Sequence, residues 1–253
     1  MSIPQTVLVT GSAGRIGSAT CEELIARGHT VRGFDIREST GEEKSYVGDL
    51  TDRASIDEAM EGVDSVIHLA ATPDEADFMT KLLPNNVIGL YNILESAREA
   101  GVKRAVLAST CQVISGHEGP WPVTSISPIS PRNWYASTKV FAEAAGQMYA
   151  YRHGISVIVV RPAWCPRDQG HVDAISNNVG AQDGYFSPGD AGRFFACAAE
   201  ADLSIKYLLL HGTSKAVAEQ RVDFTEATRA IGYEPQDTWP EGVEVVGVLK
   251  KEE

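Results

Sequence analysis

Thr6-Val7-Leu8-Val9-Thr10 runs without a break into Gly11-Ser12-Ala13-Gly14-Arg15-Ile16-Gly17, and Ser18 to Arg27 continues as a helical pattern. The short apolar run reads as a buried strand. Gly11 permits a tight turn, Gly14 lets backbone approach a pyrophosphate, and Gly17 lets the helix pack close to the strand. The helix N-terminus, with its unpaired amides and positive dipole end, then faces the phosphates. The spacing is GxxGxxG, and Gly11, Ala13, Gly14, Arg15, Ile16 and Gly17 are read as a dinucleotide-cradling turn.

Working outward, a second strand, His29 to Asp35, ends in a carboxylate about 20 positions past the glycines, where it can accept hydrogen bonds from adenosine ribose hydroxyls. Asp35 would repel a 2′-phosphate, so NAD is favoured over NADP. Arg15 and Arg37 are the nearby cations that would give NADP some tolerance. Further apolar runs at Tyr46 to Val47, Val66 to Ala70, Ala105 to Ala108 and Val157 to Val160 alternate with helical stretches. That alternation predicts an α/β chain, a Rossmann-type doubly wound parallel sheet. After about Arg161 the rhythm loosens through Pro162, Pro166, Gly170, Gly180, Gly184, Pro188 and Gly189. The chain therefore divides into a dinucleotide-binding domain over 1–163 and a small C-terminal substrate-binding portion over 164–253. The latter holds a helix near Gly189 to Ala201, a strand at Tyr207 to His211 and a helix near Phe224 to Ala230, with Asp223 and Glu226 at capping-box spacing. The tail from Val243 gives no functional signal.

At 253 residues and 43% hydrophobic content the chain can bury a sizeable core. Its net charge of −12 removes the attraction to phosphate backbones that nucleic-acid binders exploit, so no nucleic-acid partner is expected. Cys21, Cys111, Cys165 and Cys197 are scattered, with no CxxC pair and no His at ligand spacing; neither a disulfide framework nor a metal site is expected. A reducing cytoplasm fits this cysteine usage. No stretch approaches the ~18 apolar residues of a membrane span, and no targeting segment is read at the N-terminus.

Of the eight tyrosines, only Tyr135 has a lysine four residues on. Tyr135 and Lys139 would share one helix face. An ammonium nearby favours tyrosinate, so Lys139 is expected to lower the Tyr135 pKa toward working pH and make it a proton donor and acceptor. A hydroxyl at the end of the preceding strand would polarise the substrate oxygen. Thr110 is the first candidate there, with Ser109 and Cys111 as competitors facing the opposite way.

Gly11/Gly14/Gly17, Asp35, Gly48-Asp49-Leu50, His68-Leu69-Ala70-Ala71, Asn86 with Gly89, Ser109-Thr110, Tyr135/Lys139 and Arg161-Pro162 fall in an order that resembles the extended short-chain dehydrogenases, the NAD-dependent epimerase/dehydratase family. The resemblance implies that Asp49 and Leu50 flank the adenine, that Leu69, Ala70 and Ala71 line the cofactor groove with Asn86 nearby, and that Thr110, Tyr135 and Lys139 are catalytic. The C-terminal stretches Ser187-Pro188-Gly189-Asp190-Ala191, Leu210-His211-Gly212-Thr213-Ser214 and Gly232-Tyr233-Glu234-Pro235 are similar to the uronate dehydrogenase branch, which implies NAD-linked hydride transfer at a secondary alcohol or hemiacetal carbon of a sugar or sugar acid. Where that branch has Ser-Ser-Asn-His, this chain has Ser109-Thr110-Cys111-Gln112, and Pro162-Ala163-Trp164-Cys165-Pro166 replaces a serine-bearing stretch. The substrate candidates are Cys111, Gln112, Trp164 and Arg167, the last as the cation for any substrate carboxylate. His68 reads as structural, and His117, His171, Trp121 and Trp134 fall near the expected pocket. The resemblance further implies a homodimer through the helices near 86–100 and 134–153, both apolar on more than one face. The other functions the same residues permit are nucleotide-sugar epimerisation or dehydration, and NAD(P) sensing without catalysis. A dehydratase wants an acidic pair after the catalytic hydroxyl, which Cys111-Gln112 is not, and a sensor needs neither Tyr135 nor Lys139.

Overall fold

A computed structural model describes residues 3–243; the tail beyond Val243 lies outside the described residues. Seven strands form one sheet in the order β3-β2-β1-β4-β5-β6-β7. They are β1 (Thr6–Thr10), β2 (Thr30–Asp35), β3 (Lys44–Val47), β4 (Ser65–His68), β5 (Arg104–Ala108), β6 (Ser156–Pro162) and β7 (Tyr207–Gly212), and every pairing is parallel. A parallel sheet puts all strand C-termini on one edge, and the order reverses direction between β1 and β4, the switch point where such sheets bind ligands.

Strand periodicity divides the core into two layers. Val7 and Val9 of β1 face α1 (Arg15–Ala26) and α7 (Pro188–Glu200) in a cluster with Leu24, Val106, Ile158 and Phe194. Leu8, between them, faces the opposite layer of α2 (Arg53–Met60), α3 (Gly89–Glu99) and α4 (Trp134–His153), with Ile56, Leu94, Leu107 and Tyr149. The C-terminal residues thus complete the fold: β7 extends the sheet beside β6, and α7 packs along α1. Buried Arg104 ties α7 down at its C-terminal end, donating to the carbonyls of Ala198, Ala201 and Asp202 at 2.8–3.0 Å.

Two local expectations change. The helix read as starting at Asn86 begins eight residues earlier, as a π-helical segment over Phe78–Ile88 that carries Pro84 and runs into α3. The wider turns accommodate a residue without an N–H, so the proline does not break the helix. The expected capping box of α8 (Thr225–Ile231) does not form: Asp223 accepts from the Thr225 amide, but Glu226 accepts from the Ser125 hydroxyl at 2.8 Å, tying α8 to the loop before α4. Two short helices, α5 (Gln169–Ser176) and α6 (Val179–Gln182), lie between β6 and α7. Among the described residues no helix is long and apolar enough to cross a membrane.

The tightest point is the turn after β1. Gly11 has φ +74°, and a Cβ there would lie 2.8 Å from the Ala70 amide nitrogen; a Cβ on Gly17 would lie 2.0 Å from the Gly11 carbonyl oxygen. Both obstacles are backbone, so neither can swing aside. Gly17→Ala is expected to destabilise the protein by about 3 kcal/mol or more, read as a lowered midpoint in urea unfolding; wild-type stability would contradict this close approach.

Candidate active site

One cleft of about 1150 Å³ opens along the C-terminal edge of β1, β4, β5 and β6. Its floor is the turn Gly11, Gly14, Arg15, Ile16 and Gly17; Asp35, Asp49 and Leu50 line one end, and Thr110, Tyr135, Lys139, Trp164 and Arg167 the other. Leu69, Ala70, Ala71, Cys111 and Gln112 line it between. A sequence separation of more than 120 residues is thereby closed into a single groove, long enough for a dinucleotide with a small substrate beside it.

The nucleotide end is built from backbone. No side chain caps α1, so its first turn presents backbone amides at the positive end of the helix dipole. Asp35, 9% exposed, sits beneath the turn, accepting from the Ala13 amide at 3.2 Å and the Arg37 amide at 3.1 Å. Ala13 thus faces Asp35 and is not part of the cleft wall. The Arg37 side chain crosses to the Ala13 carbonyl at 3.0 Å. Asp49 accepts from both the amide and the hydroxyl of Thr51, which hold its carboxyl below the usual range. The bare glycine cradle, the uncapped helix and the carboxylate at the end of β2 together fit a dinucleotide with an unphosphorylated 2′-hydroxyl.

At the other end, α4 is capped by Asn133, whose Oδ1 accepts from the Ala136 amide at 2.7 Å, so its first turn sets Tyr135 against the end of β5. The three competing positions after β5 separate. Ser109 donates to buried Glu143 at 2.6 Å, away from Tyr135. Cys111 lies 3.3 Å from the Arg161 carbonyl and its thiol is pushed up to about 12 by burial, so it is no nucleophile. Thr110, whose Oγ1 accepts from the Gln112 amide at 3.1 Å, lines the cleft with Tyr135 and is the one of the three that acts on the phenol, favouring its ionised form.

Lys139 is 5% exposed; its Nζ donates to the Ala108 carbonyl at 2.9 Å and lies 5.8 Å from the Tyr135 ring centroid. Burial lowers its pKa to about 8. The expected depression of Tyr135 is not what the structure shows: burial, then Asp74, push its phenol up to about 12, against the Thr110 hydrogen bond and Arg167. The lysine is held by the strand and does not by itself produce tyrosinate.

The remaining residues sort plainly. Asn86 stands behind the wall, clamping Thr72 through both amide groups and donating to Thr138 at 3.1 Å. His68 is buried beside Thr10 at 2.8 Å, and burial lowers its pKa to about 3. Trp164 meets His171 of α5 edge-on at 5.6 Å, both on the cleft. Trp134 packs on Phe78, and Trp121 lies against His117 and under Arg221; these two tryptophans are not among the cleft residues. Arg167, expected as the cation for a substrate carboxylate, is ion-paired to Asp74. Sequence reasoning missed Asp74, which lies on the cleft at φ +59°; its only local signal is an Asp just after the Ala-Ala of the β4 loop.

The sequence matches the family described as NAD dependent epimerase/dehydratase over residues 7–165. It is 33% identical to an L-arabinose 1-dehydrogenase (NAD(P)(+)) of Haloferax volcanii over 91% of this chain and 96% of that protein. It is also 33% identical to a uronate dehydrogenase of Pseudomonas syringae pv. tomato, over 61% of this chain and 58% of that one. The crystal structure of a glucuronic acid dehydrogenase from Chromohalobacter salexigens superimposes with a TM-score of 0.79 at 26% identity, over 96% of this chain and 89% of the other. With the phosphate turn, the acidic end of β2 and the Tyr135/Lys139 pair in one cleft, the chain belongs to the NAD dependent epimerase/dehydratase family.

Proposed function

We propose that this protein is an NAD-dependent dehydrogenase that removes a hydride from a secondary alcohol or hemiacetal carbon of a sugar or sugar acid. The observation that carries the reading is the convergence of Thr110, Tyr135 and Lys139 at one end of a cleft whose other end is the phosphate turn with Asp35. The full-length similarity to a sugar 1-dehydrogenase supports it. NAD, when bound, would supply the hydride-accepting nicotinamide and its positive charge.

The turn residues and the start of α1 would hold the pyrophosphate, and Asp35 the ribose hydroxyls. Thr110, on the cleft beside Tyr135, polarises the substrate oxygen. Tyr135 takes the proton from the substrate hydroxyl as the carbon gives up hydride. Lys139, pinned to the Ala108 carbonyl, orients the nicotinamide ribose and adds a cation near the phenol. Residues 164–253 supply the far wall of the substrate end through Trp164 and Arg167.

We also propose that the protein works in the cytoplasm as a homodimer. The four cysteines are free thiols, which suits a reducing compartment. A groove between α3 and α4 exposes Tyr91, Phe141 and Met148 (56%, 44% and 44%) around Leu90, Leu94 and Ala145, an apolar face of the kind that a second copy covers.

Four outcomes are expected. Tyr135→Phe should cut kcat for sugar-dependent NADH formation by roughly 10²–10⁴-fold while NADH binding, read by fluorescence, persists; full activity would remove Tyr135 from the chemistry. In the unmodified enzyme, kcat/KM for oxidation should climb from about pH 6 toward pH 8, where Lys139 begins to lose its charge, because each step below the phenol's pKa of about 12 raises the small proton-accepting phenolate fraction; a falling profile would contradict that role. Asp35→Ala should weaken NAD and bring NADP turnover closer to it, and an unmodified enzyme faster with NADP would overturn the reading of Asp35. Light scattering should give a dimer mass, shifted to monomer by Phe141→Glu with Met148→Glu; a wild-type monomer at micromolar concentration would exclude the dimer.

A further inference from the structure

The substrate end of the cleft carries a charge pair that the chemistry of hydride transfer does not need. Asp74 and Arg167, 93 residues apart in sequence, meet there as an ion pair. Asp74 also accepts from the Gln112 side-chain amide at 2.8 Å, and the Gln112 carbonyl in turn accepts from Asn133 at 2.9 Å. Those two bonds leave only one orientation for the Gln112 amide. Asn133 caps α4, the helix that carries Tyr135 and Lys139. Asp74 is therefore held by a chain of contacts ending on the catalytic helix, and it adopts a left-handed backbone conformation that Asp and Asn tolerate better than most residues.

The consequence is electrostatic. Arg167 is the cation of this wall closest in influence to the Tyr135 phenol, and Asp74 is the anion that opposes it there. The guanidinium is a fork suited to a carboxylate, and Asp74 already holds one of its nitrogens and offsets its charge. A sugar acid that engaged Arg167 would either displace Asp74 or bring its own carboxylate up beside that of Asp74, and the like charges oppose both. Lys81 is exposed, where water screens it, and Lys139 is held at the Ala108 carbonyl. A neutral sugar meets no such conflict. A carboxylate oxygen has two acceptor sites, so Asp74, partnered by Gln112 and Arg167, keeps lone pairs for hydroxyl donors, and hydroxyls are what an aldose presents.

We infer that the Asp74–Arg167 pair, braced by Gln112 and Asn133, is the specificity determinant of this enzyme and selects uncharged aldoses against uronic acids. The inference rests on the sugar dehydrogenase reading above and narrows it. It makes Arg167 a partner of Asp74 instead of a receptor for the substrate's carboxylate.

The test compares kcat/KM within two pairs, D-glucose with D-glucuronate and D-galactose with D-galacturonate, each differing only by a carboxylate in place of a hydroxymethyl group. The wild type should favour the neutral member at least tenfold. Asp74→Asn keeps the size, the backbone conformation and an acceptor for Gln112, but releases Arg167; the uronate-to-aldose ratio should rise at least tenfold. Arg167→Gln leaves the Asp74 charge uncompensated, and the ratio should fall below that of the wild type. General damage lowers both members of a pair together, so only a change of charge moves the ratio in opposite directions in the two variants. A wild-type preference for the uronate, or a ratio unmoved in Asp74→Asn, would overturn the inference while leaving a sugar dehydrogenase. Absence of NADH from every sugar, with NAD still bound, would instead remove the dehydrogenase reading, and this inference with it.

Discussion

The contact between the Gly11 turn and the backbone that leaves β4 is the constraint on which the site depends. A single methyl group at Gly11 would collide with Ala70, and one at Gly17 would collide with Gly11 itself. With both bare, α1 docks against the strand end and its amides open onto the groove between β1 and β4, at the point where the strand order reverses. Because every strand runs the same way, the ends of β5 and β6 reach the same edge. The phosphate turn and the Tyr135/Lys139 pair therefore share a cleft without any loop having to travel far.

Behind the reacting groups stands a polar layer that holds them still. Arg161 grips Glu143 through two bonds of 2.7 and 2.8 Å, and the same carboxylate takes the Ser109 hydroxyl. That fixes Ser109 away from Tyr135 and, by strand alternation, turns Thr110 toward it. Removing one member of a buried pair of this kind typically costs about 3–5 kcal/mol, because the other charge is left without water or partner. Asn86 does a related job one helix away, joining the loop after β4 to Thr138, the neighbour of Lys139. The side chains proposed to carry the chemistry are thus set by strands and helices, and only the proposed substrate wall is left to loops.

The parts legible in the sequence were those fixed by near neighbours. The phosphate turn, its strand and helix, and the Tyr135/Lys139 spacing each lie within a dozen residues, and local sterics and helix geometry are enough to read them. Which of Ser109, Thr110 and Cys111 meets the phenol was not legible, since alternation separates the residues without saying which face is the site. Nor was the partner of Arg167, because the pairing depends on a loop conformation at Asp74 and on the packing of segments far apart in the chain. The α8 capping box failed for a similar reason: Ser125, distant in sequence, competes successfully for Glu226. The tyrosine's ionisation was misjudged from spacing alone, since burial and Asp74 act on the phenol while the lysine is held at the Ala108 carbonyl.

Direct hydride transfer from sugar to cofactor is the centre of this account, and an isotope label tests it most directly. An aldose carrying deuterium at its anomeric carbon, incubated with the enzyme and NAD, should deliver that deuterium to the reduced cofactor, one atom for each sugar oxidised, as measured by mass spectrometry of the isolated NADH. Deuterium that stays with the sugar, or is lost to water while NADH remains unlabelled, would contradict the account.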